Sequence, residues 1–227
     1  MTGVSVVLAQ TGDWSFVFGN WEYLAGGLWL TVQLTVLSIL VGFVVGFPAG
    51  AIEVYGSRYA RLPVSVVGTI LRGTPLVVIL IFAYFVFPIG SAFLAAVLGL
   101  GLRSAAYQTQ IFRGTLKSID EGQMEAARAI GMTRLKAIYH VIVPQALRRS
   151  IPSFQNEFTI VLKDTSIAFA IGFAELLTRS YDLFTQQTSA VLEVILFVSA
   201  IYFVLTFTTN RALDYLSELY KIPTGES

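Results

Sequence analysis

Cysteine is absent from the 227-residue chain, and histidine occurs once, as His140. Without thiols there is no disulfide framework, no thiolate chemistry and no cysteine metal site, and the redox compartment stays open. A single histidine with no ligand cluster beside it reads as a surface or interface residue rather than a metal ligand. Charge is scarce too. Only 13% of residues are charged and the formal net charge is +1, far from the basic excess that a nucleic-acid partner favours. No G-x-x-x-x-G-K-[ST] segment occurs, so the usual phosphate-cradling P-loop is missing.

What fills the chain instead is apolar. Hydrophobic residues make up 55%, with a mean hydropathy of +0.71, well above a soluble average. Tyr23 to Ile52 holds no Asp, Glu, Lys, Arg or His, and neither does Gly73 to Leu102, which Pro88-Ile89-Gly90-Ser91 divides into two blocks. A bilayer needs roughly 20 such residues, whereas a soluble core helix rarely needs more than about 14. The pattern predicts an all-α, polytopic integral membrane protein with about five transmembrane helices, near 26–50, 63–87, 91–112, 152–173 and 190–210. Residues 1–25 form an extracytoplasmic arm, 26–215 the transmembrane domain, and 216–227 a cytoplasmic tail. The short apolar stretch ending Leu8-Ala9-Gln10 lacks a basic leader and is assigned to the arm rather than to a signal peptide.

Basic residues set the orientation. Residues 113–149 hold Arg113, Lys117, Arg128, Arg134, Lys136, Arg148 and Arg149, and Arg58 and Arg61 precede the second span. Arg211 and Lys221 follow the last one, while residues 1–25 have no Lys or Arg and the loop after the fourth span only Arg179. Lys and Arg concentrate in cytoplasmic loops, so the N-terminus is expected outside and the C-terminus inside. Gly42, Gly46 and Gly50 share one face of the first span, which either admits a close helix neighbour or reflects the general abundance of glycine in membranes. Trp21, Tyr23 and Trp29 fall where an outer aromatic belt belongs.

The loop 113–149 is too long for a tight connection. Ser118-Ile119-Asp120-Glu121 has capping-box spacing and predicts a helix start, which Glu125–Ile130 continue. Gly131 supplies the left-handed stop, Thr133 caps a second short helix over Arg134–Ile142, and Pro144 ends it. The result is a cytoplasmic knob of two short helices around a glycine corner, suited to docking in a groove of another protein.

Four charged residues, Arg72, Arg103, Lys163 and Asp164, lie in or near the spans, where an ionised side chain costs about 2.5–3.5 kcal/mol at mid-helix. They must face protein or water. Arg103, Tyr107 and Gln110 form one stripe at i, i+4 and i+7. Either the stripe lines a solute path, or Arg103 or Lys163 pairs with Glu157, Asp164 or a carbonyl to lock helices together. Lys163 and Asp164 are neighbours about 100° apart on a helix and so meet different partners.

Glu125-Ala126-Ala127, Gly131 and Val143-Pro144 resemble the EAA loop of ABC importer permeases. Arg72-Gly73-Thr74-Pro75-Leu76, Ala105-Ala106-Tyr107, Ile111-Phe112-Arg113-Gly114, Gly122-Gln123-Met124, Pro144-Gln145-Ala146-Leu147-Arg148, Asn156 and Leu162-Lys163-Asp164-Thr165-Ser166 are similar to the polar amino-acid subfamily, which serves histidine, glutamine, glutamate, arginine and opines. The likeness spans about residues 24–215. Gln110, Val77-Val78-Ile79 and Arg103 depart from that subfamily's usual Glu, Gln and small or polar residue. The resemblance implies a type I ABC importer permease that imports an amino acid or similar small polar solute. Its coupling contacts would be Glu125, Ala126, Ala127, Gly131 and Pro144. Its substrate path would draw on Arg72, Thr74, Arg103, Tyr107, Gln110, Asn156 and Lys163. It implies a second permease subunit, two ATPase subunits that use ATP and Mg, and an extracytoplasmic solute-binding protein. The chain itself is expected to bind no cofactor. An ion-gradient-driven transporter, whose inverted repeats are not evident here, and a non-transporting scaffold are the alternatives.

Overall fold

The uncharged run Tyr23–Ile52 makes the longest helix among the described residues. The computed structural model describes residues 13–87 and 89–219, and these are helical throughout, with no strand among them. A short helix α1 (Trp14–Gly19) leads into α2 (Trp21–Tyr55), 35 residues long. The arm therefore turns helical before residue 25, while its first twelve residues, including Leu8-Ala9-Gln10, lie outside the described part.

The second expected span is not one helix. It is α3 (Arg58–Gly73) and α4 (Leu76–Phe85), bent by 105°. Pro75 causes the break. A proline forces the residue before it out of the helical region, and Thr74 sits at φ −93°, ψ 132°. Arg58 and Arg61, expected in a loop, are the first turn of α3, which Ser57 caps.

Next come α5 (Ala92–Lys117), α6 (Glu121–Ala129), α7 (Arg134–Ala137) with a π-turn over Ile138–Ile142, and α8 (Val143–Asp164). A 3-10 segment, Thr165–Ile171, carries α8 to Gly172. Then follow α9 (Leu176–Gln186), unforeseen in the sequence, and α10 (Val191–Leu219). The expected 216–227 tail is helical as far as Leu219, and beyond it lies outside the described residues.

α5 is the axis of the bundle, packed most extensively on α2 and then on α8, α4 and α3. The glycine face of α2 makes this approach possible. A Cβ on Gly46 would lie 2.8 Å from the Ala105 carbonyl oxygen, and one on Gly50 2.8 Å from Phe112 Cβ. Leu34, Leu80, Leu100, Val161 and Phe173 form the central core, and Val17, Leu24, Leu176, Leu183 and Val194 a second cluster beneath α9. Large apolar side chains also cover the outside: Trp29, Val44 and Phe203 are all exposed. An exposed apolar mantle of this extent calls for lipid or subunit contact. By length and composition α2 and Thr188–Tyr215 are each apolar enough to cross a membrane, and the bent α3–α4 pair is so only when its two helices are taken together.

Candidate functional site

The knob is built by chain-end chemistry. α5 runs to Lys117, and Ser118 ends it, donating its hydroxyl to the Thr115 carbonyl at 2.9 Å. The expected capping box at Ser118 therefore does not form. Asp120 caps α6 instead, accepting from the Gly122 N–H at 2.7 Å, because an Asx side chain two residues ahead reaches that donor directly. At the other end Gly131 adopts φ +90°. Its N–H donates to the Arg128 carbonyl at 3.0 Å and the Met132 N–H to that of Ala127 at 3.1 Å. This is the Schellman pairing that a left-handed glycine closes.

Thr133 then caps α7, as its position predicts, accepting from Lys136 N–H. Pro144 does not end the second helix. The chain stays helical through it, and the π-turn Ile138–Ile142 lies just ahead. A proline cannot donate to the carbonyl four residues back and its ring crowds that oxygen; a widened turn absorbs both defects.

Only one side of the knob is anchored. Ala127 is buried, and Leu116, Ile119, Ile142 and Ala146 make the small core beneath it, with Met124 packed alongside. Glu125, Ala126, Gly131 and Pro144 face outward. Beside them Ile130, Leu135 and Tyr139 are 76%, 79% and 70% exposed. The outer side of the knob thus exposes three bulky apolar side chains and a carboxylate.

Within the bundle the polar residues divide into three groups. Arg103 Nη1 donates to Asp164 at 2.5 Å and its guanidinium stacks over the Tyr107 ring at 5.2 Å. Gln110, the third member of the expected stripe, is not with them. It turns to Glu53 at 3.3 Å and accepts from Arg113 at 3.1 Å, near Arg72, whose Nη1 donates to the Ala106 carbonyl at 2.9 Å. Lys163, as expected, parts from its neighbour Asp164. It borders a cavity of about 520 Å³ between α8, α9 and α10, with Ser166, Ser180, Ser199 and Tyr202 in the wall. Asn156 is exposed on α8, and Thr74 bonds back to the Ile70 carbonyl at the α3–α4 break.

Two polar groups escape a reading of the sequence. Gln108 donates to Ser104 at 3.1 Å, Ser104 to Glu157 at 2.7 Å, and Gln108 also to the Ile39 carbonyl at 3.3 Å, all buried. This chain ties α5 to α8 and α2. The second is Glu175, fully buried at the start of α9, which accepts from the N–H groups of Leu177 and Thr178 at 2.8 and 2.7 Å and from the Tyr202 hydroxyl at 3.1 Å. Burial pushes its carboxyl above the usual range, and the donated hydrogen bonds oppose that. Glu-Leu-Leu-Thr spacing is the only signal that marks this cap. Arg179, the lone base of its loop, spans to α2: its Nη1 donates to the Tyr23 carbonyl at 2.7 Å.

An all-helical bundle with an apolar mantle, the Arg103–Asp164 pair between its helices and an exposed knob at one end fits a polytopic membrane protein. Residues 15–221 match the family described as the binding-protein-dependent transport system inner membrane component. The chain belongs to that family, as the permease subunit of an ABC importer. It is 34% identical to the L-cystine transport system permease protein TcyB of Bacillus subtilis, covering 89% of each chain. It is likewise 34% identical to the glutamine transport system permease protein GlnP of Escherichia coli, covering 92% of this chain and 98% of that one. Among solved structures it is similar to an amino acid ABC transporter crystallised with histidines, with a TM-score of 0.82, 33% identity, and coverage of 92% of this chain and 99% of the other. The inward-facing methionine transporter MetNI shares the fold, with a TM-score of 0.75 at 21% identity, covering 88% and 97%.

Proposed function

We propose that this permease imports an amino acid, and that the knob around Glu125 and Gly131 receives the motion of a separate ATP-hydrolysing subunit. The relatives named for glutamine and cystine support the solute class. The observation that carries the coupling role is the knob itself, with its apolar face exposed and its opposite side anchored through Ala127. Two permease subunits, identical or paralogous, surround the path, and two ATPases that hold ATP and Mg seat against the knobs. An extracytoplasmic binding protein delivers the solute. The N-terminus lies outside and the C-terminus in the cytoplasm. Five passages, the second being the bent α3–α4 pair, meet that orientation.

For the solute path, Asn156 and Lys163 lie seven residues apart and so share one side of α8. Lys163 is exposed and has no carboxylate within salt-bridge reach among the described residues, which suits it to a solute carboxylate. Arg103 is already neutralised by Asp164 and positions α5 against α8, with Tyr107 stacked on it. Arg72, Gln110 and Thr74 are engaged with the Ala106 carbonyl, Glu53 and the Ile70 carbonyl, and so hold the helices beside the path rather than meet the solute.

Gly131→Asp and Glu125→Lys test the coupling role. A non-glycine residue at φ +90° costs roughly 1–2 kcal/mol, too little to unfold the bundle and enough to tilt the knob. The variants are expected to insert normally but to lose uptake and co-purifying ATPase. Normal uptake in both would make the knob a mere connector.

A further inference from the structure

At the end of the bundle that bears the knob, α2, α3 and α5 enclose a cavity of about 270 Å³ whose lining includes Arg61, Arg72, Arg113 and Lys117 against a single carboxylate, Glu53. Four cations and one carboxylate leave an excess of three positive charges. Glu53 is spent on Arg113, at 3.3 Å, and on Gln110. Among the described residues, Arg61 and Arg72 donate only to backbone carbonyls, those of Gly56, Val54 and Ala106. Lys117 has no carboxylate within salt-bridge reach among the described residues. The cavity thus has the chemistry of an anion site whose cations are not neutralised from within.

The same three helices enclose a second recess of about 300 Å³, and it is apolar, walled by Val45, Val64, Val67, Leu71, Leu102 and Ala105. Arg72 stands between the two spaces. It lines the basic cavity, yet donates to the carbonyl of Ala106 and lies 3.1 Å from where a Cβ on Gly68 would be, and both Ala106 and Gly68 line the apolar recess. Elsewhere on the same helices, Leu62, Val66 and Ile70 of α3 and Val44 of α2 are exposed. A basic pocket beside an apolar one, with a single arginine side chain between them, fits a ligand that is anionic at one end and aliphatic at the other.

We propose that this α2–α3–α5 cleft binds one anionic phospholipid of the cytoplasmic leaflet. Its headgroup phosphate meets Arg61, Arg113 and Lys117, and an acyl chain lies in the recess beside Val67. The bound lipid would brace α3 against α5 next to the 105° break, where no backbone hydrogen bond of a continuous helix does so. This inference rests on the cytoplasmic placement of the knob but not on the solute or the coupling role.

The test is native mass spectrometry of the whole transporter, purified, delipidated and titrated with phosphatidylglycerol or phosphatidylcholine. Wild-type protein is expected to retain phosphatidylglycerol in preference to phosphatidylcholine, and inorganic phosphate is expected not to displace it. Arg61→Gln with Lys117→Gln should weaken retention roughly thirtyfold, the effect of two interfacial cations. Val67→Trp, which fills the recess and leaves the cations in place, should weaken it as well. Equal retention of both lipids by the wild type, displacement by phosphate alone, or retention unchanged in both variants would each overturn the proposal. Because the readout is bound lipid rather than uptake, a failure here is distinct from a failure of the transport reading.

Discussion

Arg103 illustrates how a half-buried charge is made tolerable. Its side chain and that of Asp164 are 23% and 22% exposed, and they meet at 2.5 Å. An unpaired charge in that setting is expensive, so each partner mainly removes the cost of the other. The signature of such a pair is non-additivity. Arg103→Ala or Asp164→Ala alone is expected to lower stability by about 2 kcal/mol, less than a fully buried pair because both groups retain some solvent contact. The double variant should recover part of that loss. Thermal unfolding midpoints of the four proteins in detergent check this, and strictly additive losses would show that the two groups act separately.

At the scale of elements, small residues decide where helices can meet. The α2–α5 contact depends on Gly46 and Gly50, whose missing side chains would otherwise run into Ala105 and Phe112. Gly46→Leu is expected to cost about 1–3 kcal/mol through overpacking against backbone, seen as a lower unfolding midpoint and less folded protein in the membrane. Gly114, also within a helix, has nothing within 4 Å of its would-be Cβ. There Gly114→Ala should be neutral or gain up to about 1 kcal/mol from helix propensity. If the two substitutions behaved alike, close approach would not be the role of the glycine face. Proline acts in the opposite sense at two sites. Pro75 breaks α3 from α4, whereas Pro144 is absorbed by a π-turn and the helix continues.

For the molecule as a whole, the distribution of basic residues is the basis of the proposed orientation. Seven Lys or Arg side chains lie in 113–149 and none in 1–25. A reporter fused after Gly122 is expected to read cytoplasmic and one at the N-terminus external; the reverse would move the knob to the wrong side for an ATPase. The single exception to the charge rule, Arg179, is consumed in a contact with α2 and so does not act as a free topological signal.

The sequence by itself determined the class, the longest helices and the corner of the knob. Uncharged runs longer than a soluble core needs can only be membrane helices, and a Gly that must take a positive φ marks a helix end wherever it falls. Hence α2, α5, α10, the Gly131 corner and the Thr133 cap were legible. Tertiary structure decided what depends on neighbours distant in sequence. Pairing of Arg103 with Asp164, rather than with a solute or with Glu157, was one of several options that spacing allowed, because helix periodicity names a face and not what covers it. The stripe of Arg103, Tyr107 and Gln110 divided because Glu53, 57 positions from Gln110, draws the amide away. Glu175 and the Gln108–Ser104–Glu157 chain left almost no local trace, since a buried polar group is defined by donors and acceptors that arrive only when the helices pack.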